Sequence, residues 1–592
     1  MKEKVSDYIF RKLAPITAGK CVFMLPGGGC MHLVDSLGRN PDLTYICNLH
    51  EQASAIAAEA AAQNTGKLGV ALVTAGPGAT NAVTGIAGAW IDSTPVLVLS
   101  GQAKTTDLMH THCHVRQMGI QEVDIASIVQ PITKYAVCVT DASRIRYELE
   151  KALFLAFDGR PGPVWLDMPL DVQGAMIDPE ELEGFIAPPP QKDMSEQAAA
   201  AILDALAHAK RPAIYAGNGI RLAGALDEFR QLADTFGVPI LTSWKAADFL
   251  PEDHSFFAGR PGIIAQRDAN FVQQTADVLI ILATRLDLCQ TGFDHPHFAP
   301  KARRIMIDAD PAEIGKMETQ MEGYTADAGK VVRALLASGK TFDFTPWMER
   351  CRAWRHRYPV ILPEYRDESK EQVNLYYLID QLSKLLGEND LLIPGSSGMC
   401  AEVTMQAIRV RKGLRIHNTP GLGSMGFGLP AAIGACAVSG KHTIGIIGDG
   451  GLQHNIQELQ TLSRLQLPLA LFILNNNGYG SIYNMQKGRF DGNFVACHPE
   501  SGLTLPELEK VANAYNLTYV RIDNPRNLEK QLISILAMPG PVICEVMLDT
   551  SVASAPRLAS ETLPDGSMRS KPMEDLAPFL PPELLQAELD VE

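Results

Sequence analysis

"IGDGGLQHNIQELQTLSRLQLPLALFILNNNGYG", from Ile447 to Gly480, holds the reading that decides the fold. The apolar run HTIGIIG ends at Gly448 and Asp449, a stretch with helical spacing follows, and a second apolar run, LALFIL, ends in Asn475, Asn476 and Asn477. Apolar strand, helix, apolar strand is the pattern of a parallel sheet buried on both faces. Ligands of open α/β sheets sit beyond the carboxyl ends of the strands. If these two strands are neighbours, a carboxylate and an amide converge there. One carboxylate plus one neutral oxygen suits Mg²⁺, which keeps its other positions for water and phosphate oxygens. Gly448, Gly450 and Gly451 would let backbone N–H groups approach a diphosphate, and a helix beginning near Asn455 would aim its positive end at the same point.

The same rhythm recurs outward along the chain. GVALVTA, TPVLVLSG, GPVWLDMP, PAIYAGN, VLIILATR, RRIMIDAD and DLLIPGSS are short apolar runs separated by Ala- and Leu-rich stretches. They imply an α/β protein of three open, mostly parallel sheets. The 592 residues are too many for one core. Proline-rich FIAPPPQKDMS (Phe185 to Ser195) and a charged, strand-poor stretch from Trp347 to Glu371 mark the divisions. The expected units are 1–185, 190–345 and 370–550, followed by a Pro-rich acidic tail, 551–592. The first and third units share a rhythm that the second lacks.

Composition narrows the function. A net charge of −15 without a Lys/Arg cluster argues against nucleic acid as a partner. Eleven scattered cysteines with no C-x-x-C pair point to reduced thiols and a cytoplasmic protein. The N-terminal MKEKVSDYIFRKLAPIT lacks a signal-peptide core, and no apolar window is long enough to span a membrane.

The GDG of 448–450 followed by the asparagines at 475–476 resembles the metal and diphosphate motif of thiamine diphosphate (ThDP) enzymes. NLHEQASAIAAEAAA, TAGPGATN, GIAGAWIDSTPVLVLSGQ, GRPGPVWLDMPLDVQ, IDADPAEIGK, GLGSMGFGLPAAIGA and DGSMRSKPMEDLAPFLP extend the likeness to acetolactate synthase-type enzymes over nearly the whole chain. The resemblance implies three domains: pyrimidine-binding, central FAD-type and diphosphate-binding. It implies Asp449, Asn476 and the backbone oxygen of Gly478 as Mg²⁺ ligands. It assigns Glu51 to the cofactor's pyrimidine ring, where an enclosed carboxylate can exchange a proton near neutrality, and Met425 to the fulcrum that bends the cofactor. ThDP contacts would come from Gly27, Gly28, Pro77, Asn81, Gly395, Ser396, Ser397, Gly423, Gly450 and Gly451. Arg160, Gly217, Gly219, Arg285 and Asp308 would hold FAD in a role without net redox chemistry. A 2-oxo acid donor and a carbonyl acceptor are the implied substrates. Because Glu51 and the diphosphate motif come from different subunits in that family, a homodimer at least, and a homotetramer by extension, is expected. The sequence leaves open whether a regulatory subunit accompanies it.

The departures cluster on the acceptor side. Ile120 stands where such enzymes carry phenylalanine, although Gln121 is kept as a catalytic-loop residue. Met485 stands in place of a tryptophan, near Ile482, and LDLCQTG follows Arg285 where a second Asp and Arg are usual. The expected activity is therefore decarboxylation of pyruvate with transfer of the two-carbon unit to a carbonyl acceptor, possible acceptors including a nucleotide-linked keto sugar. The alternatives are a true acetolactate synthase or a ThDP lyase or decarboxylase. MHTHCHV, with His110, His112, Cys113 and His114, reads as a polar loop at the rim of the site.

Overall fold

The computed structural model describes residues 2–109, 115–190, 192–317, 321–563 and 565–590. MHTHCHV therefore falls largely outside the described residues. Three six-stranded parallel sheets carry the fold. The first holds β1 (Cys21–Met24), β2 (Thr44–Cys47), β3 (Gly69–Val73), β4 (Val96–Gln102), β5 (Tyr135–Cys138) and β6 (Val164–Pro169), in the order β2-β1-β3-β4-β6-β5. The second holds β7 (Pro212–Ala216), β8 (Ile240–Thr242), β9 (Phe257–Gly259), β10 (Val278–Leu282), β11 (Arg303–Asp308) and β12 (Glu322–Thr325), in the order β9-β8-β7-β10-β11-β12. The third holds β13 (Asp390–Pro394), β14 (Arg415–Ile416), β15 (His442–Gly448), β16 (Leu469–Asn475), β17 (Thr518–Ile522) and β18 (Val542–Met547), in the order β14-β13-β15-β16-β18-β17.

The first and third sheets thus share one topology. The middle sheet instead has the 3-2-1-4-5-6 order of dinucleotide-binding folds. β15 pairs with β16 through to Gly448 opposite Leu474, so Asp449 and Asn475 leave neighbouring strands side by side. The central strands are wholly buried because helices cover both faces, which is why they read as continuous apolar runs.

Two helices of small residues join the first and third units. Glu51–Thr65 buries nearly every side chain, and Gly428–Ser439 packs across it. A Cβ on Gly434 would stand 2.3 Å from the Ala57 carbonyl oxygen, so glycine is what permits this approach. Gly66, at φ 67°, closes the first of these helices in the left-handed region.

The helix Thr345–Arg357 lies beyond the expected end of the middle unit, yet it packs Trp347 and Trp354 into that unit's core. The tail returns to the same place. Glu588, buried in the helix Pro582–Leu589, accepts from Trp354 Nε1 at 2.7 Å and from Tyr358 Oη at 2.8 Å. Asp248 clasps the units together. It accepts from Arg221 at 2.7 Å and from Arg415 at 2.8 Å, and Arg415 also donates to the Gln63 carbonyl at 3.1 Å. Burial raises the Asp248 carboxyl, but the two guanidiniums outweigh it and hold the group well below the usual carboxylate range. Its folded-state pKa is depressed, so its stabilisation is present above the unfolded carboxylate pKa and lost as pH falls below it. Asp248→Ala leaves two partly buried cations uncompensated. It is expected to lower stability by about 3–5 kcal/mol, read as a drop in the denaturation midpoint at neutral pH.

Candidate active site

In the first unit, the loops after β1, β2, β3 and β4 gather at one edge, because these four strands are neighbours in the sheet. The loop after β1 carries Gly27, Gly28 and Gly29. A Cβ on Gly27 would stand 2.5 Å from Thr74 Cβ, whereas Gly28 faces open space. Glu51 opens the helix that follows β2. Its carboxylate is buried, Oε2 accepts from Asn81 Nδ2 at 3.0 Å, and Oε1 faces Gly78, where a Cβ would approach to 3.4 Å. Pro77 and Asn81 begin and end the short helix Pro77–Asn81 that follows β3, and both are exposed. Gln121 belongs to the loop after β4 and packs over it. Gly76, at φ 60°, lies so close that a Cβ would stand 2.2 Å from the Gln121 carbonyl oxygen.

The third unit repeats the plan. After β13 come Gly395, Ser396 and Ser397; after β14 the loop with Gly423 and Met425; at the end of β15 Gly448 and then Asp449 to Gly451; at the end of β16 Asn475 and then Asn476 and Asn477. Ser396 Oγ donates to the Ser424 carbonyl, tying the first two loops together. The helix at the glycine motif begins at Asp449 itself and ends at Gln453, so its N-terminus lies earlier than the expected start near Asn455.

Asp449, Asn476 and Gly478 converge. Asp449 accepts from the backbone N–H of Gly450 at 2.9 Å and of Gly478 at 3.2 Å. As oriented, the Asn476 side-chain oxygen points at Asp449 Oδ1, 3.2 Å away, and at the Gly478 carbonyl oxygen, 2.8 Å away. Three acceptors facing one another are satisfied either by turning the amide over or by a cation among them. The donor set fits Mg²⁺: one carboxylate and two neutral oxygens, all hard. Burial pushes the Asp449 carboxyl up to about 6 against the pull of those backbone donors. Gly478, at φ 147°, admits no side chain, since a Cβ would stand 2.2 Å from the Cys497 carbonyl oxygen.

A cavity of about 1190 Å³ lies where the middle unit's strand order reverses between β7 and β10, with Asp92 and Arg160 of the first unit and Gly421 of the third completing its wall. Arg160, Gly219, Arg285 and Asp308 line it. Gly217 instead packs against β10's exit, where a Cβ would stand 2.1 Å from the Ala283 carbonyl oxygen. Arg160 donates to Asp310 at 3.1 Å and Glu313 at 2.6 Å, and burial pushes the Asp308 carboxyl up to about 6. The Asn218 amide nitrogen and Asp92 Oδ1 are buried here without hydrogen-bond partners, which fits a polar ligand of dinucleotide size.

Three family profiles match in series: the N-terminal TPP-binding domain of thiamine pyrophosphate enzymes over residues 3–128, their central domain over 199–335, and their C-terminal TPP-binding domain over 396–546. The acetolactate synthase large subunit of Porphyra purpurea is 31% identical over 553 residues, covering 91% of each chain. The chain belongs to the thiamine pyrophosphate enzymes, on their acetolactate synthase-like branch. The probable acetolactate synthase large subunit of Methanocaldococcus jannaschii is 32% identical over 90% of each chain. The isozyme 1 large subunit of Escherichia coli K12 is 31% identical over 90% of this chain and 91% of its own.

For a thiamine pyrophosphate enzyme, the structure adds residues that the sequence did not single out. Asn455 Nδ2 donates to the Gly426 carbonyl at 2.8 Å and to Gln52 Oε1 at 3.1 Å, linking the neighbour of Met425 to the neighbour of Glu51. Glu458 accepts from Asn48 Nδ2 at 3.0 Å and from the Leu49 N–H at 2.8 Å just ahead of the Glu51 helix. Glu122 is buried and accepts from the N–H groups of Met118 and Gly119 at 3.0 and 2.8 Å, shaping the Gln121 loop. Only the Gln-Glu pairing in that loop could have signalled Glu122; nothing local marks Asn455. Ile120 is 89% exposed, while Ile482 and Met485 stand 41% and 42% exposed on the helix Gly480–Arg489. Among the described residues, no helix is long and apolar enough to cross a membrane.

Proposed function

We propose that this enzyme decarboxylates pyruvate and adds the resulting two-carbon unit to a carbonyl acceptor other than a second pyruvate, with a keto group on a nucleotide-linked sugar as the favoured class. The observation that carries this reading is the openness of the acceptor side: the helix Gly480–Arg489 buries none of its side chains, and Met485, where the resembled enzymes carry a tryptophan, stands 42% exposed. ThDP supplies, when bound, a carbanion-forming ylid that takes up the electrons released on decarboxylation. Glu51 holds and passes the proton that activates the pyrimidine ring. Asn81 keeps one of its oxygens engaged at 3.0 Å, so the other is left for that ring. Met425 bears on the bound cofactor, and the loops at 395–397, 423 and 450–451 present backbone groups to its diphosphate. Asp449, Asn476 and Gly478 hold Mg²⁺. Arg160, Gly219, Arg285 and Asp308 hold FAD in the central cavity, with Gly217 shaping the turn beside it. Glu51 of one copy serves the diphosphate loops of another, so the working unit is a homodimer or a dimer of dimers, in the cytoplasm.

The test supplies the purified protein with ThDP, Mg²⁺ and FAD and follows pyruvate by NMR. Slow CO₂ release with little acetolactate, quickened by a nucleotide-linked keto sugar, is the expected result. Abundant acetolactate from pyruvate alone would establish the plain synthase instead. Absence of CO₂ would remove pyruvate as the donor and favour a lyase.

A further inference from the structure

β18, VICEVM, is a buried inner strand between β16 and β17, yet it carries a carboxylate. Glu545 is only 5% exposed. An apolar side chain is the default at such a position, because taking a charge out of water costs free energy unless its hydrogen bonds are replaced. Here they are replaced on both sides. Oε1 accepts from Asn475 Nδ2 at 2.7 Å, and Oε2 accepts from Tyr519 Oη. Arg521 stands 4.0 Å from Oε2. The strand register explains these contacts. Glu545 pairs with Ile473 on β16 and with Arg521 on β17. Asn475 and Tyr519 each lie two residues from one of these direct neighbours, and so on the same face of the sheet.

The Asn475 contact leads on to the metal turn. With its amide nitrogen held by Glu545, the Asn475 side chain presents its oxygen to the backbone N–H of Asn477, which donates at 2.9 Å. Asn477 has φ 61°, in the left-handed region, and Gly478 follows at φ 147°. A residue with a side chain adopts the left-handed region only when its surroundings hold it there. This turn is held from two sides. Asp449 accepts from the Gly478 N–H at 3.2 Å, and Asn475 accepts from the Asn477 N–H. The same turn carries the Asn476 oxygen and the Gly478 carbonyl that face Asp449. Asp449, Asn475, Asn477 and Glu545 also border one cavity of about 240 Å³. We propose that Glu545 is a positioning residue for the Mg²⁺ site: through Asn475 it sets the turn that aims Asn476 and the Gly478 carbonyl at the metal. The proposal rests on the reading of Asp449, Asn476 and Gly478 as the metal's ligands. A partner of this kind orients ligands before the metal arrives, so its loss is read in metal affinity.

The test titrates Mg²⁺ calorimetrically into the full chain with ThDP and FAD present, and reads the denaturation midpoint of each variant beside it. Glu545→Ala and Asn475→Ala are each expected to weaken Mg²⁺ binding roughly 10–100-fold. The double variant should lose scarcely more than either single one, because both changes cut the same chain of contacts. Glu545→Gln keeps an acceptor for Asn475 and should retain most of the affinity. Tyr519→Phe removes the contact on the other side of the carboxylate. It should lower the midpoint while leaving Mg²⁺ affinity near that of the wild type. Wild-type affinity in folded Glu545→Ala would overturn the proposal. So would an equal loss in Tyr519→Phe, which would make Glu545 a general structural anchor. Glu545→Met keeps the bulk of the side chain and decides the matter if Glu545→Ala does not fold. Asp449→Ala, titrated in parallel, separates the two readings. Unchanged Mg²⁺ binding there refutes the metal site itself, whereas loss there with none in the Glu545 variants refutes the positioning role alone.

Discussion

Glu51→Gln is expected to cut turnover by about 10²–10⁴-fold, the usual contribution of a positioned acid–base group. The glutamine keeps the side-chain shape, so Asn81 still finds an acceptor at its 3.0 Å contact and the helix Glu51–Thr65 keeps its first residue. What disappears is a group that can hold and release a proton. Cofactor affinity should therefore change far less than rate. The informative measurement is the exchange of the cofactor's ring proton with deuterium, read by NMR beside steady-state CO₂ release. Both should slow together. Exchange at the wild-type rate would remove Glu51 from the proton relay, whatever the effect on later steps.

Asp449→Ala should be as severe through a different route. It takes the only carboxylate from the convergence of Asp449 Oδ1, the Asn476 oxygen and the Gly478 carbonyl. Two neutral oxygens do not outweigh the cost of dehydrating Mg²⁺. Partners of metal ligands typically contribute 10–100-fold to affinity, so loss of a ligand itself should weaken Mg²⁺-dependent ThDP retention by at least about 100-fold. Calorimetric titration of Mg²⁺ into the protein with ThDP present measures this directly. Excess metal should restore only part of the binding. Equal retention of cofactor in Asp449→Ala would take the metal site away from these loops.

Both predictions concern residues legible before any fold was known, and the reason is local. Asp449 and the asparagines end apolar runs, and a strand end in a parallel sheet is a place for ligands wherever the strand lies in the sheet. Glu51 was marked differently, by resemblance of the surrounding HEQ stretch to a known family. The proposed acceptor side is legible in the sequence only as departures at Ile120 and Met485 from the resembled family. Their exposure came from the structure.

Asn455, Glu458 and Asp248 show the limit. Glu458 meets Asn48 across a sequence separation of 410 residues. Asp248 joins arginines from two units and, through Arg415, the backbone of a third. No periodicity or motif marks such residues, because each is an ordinary polar side chain until a distant surface closes over it.

By itself, then, the sequence determined the three-sheet α/β plan, the kinship of the first and third units, and the chemistry offered at the strand ends, since burial on both faces and glycine-bearing turns write themselves into neighbouring residues. Only the tertiary structure decided the order of strands within each sheet, the crevice where the middle order reverses, the return of the tail onto Trp354, and which polar groups lock the units together. Those depend on contacts between segments far apart in the chain, and their free energy comes from packing and desolvation that appear only once the surfaces meet.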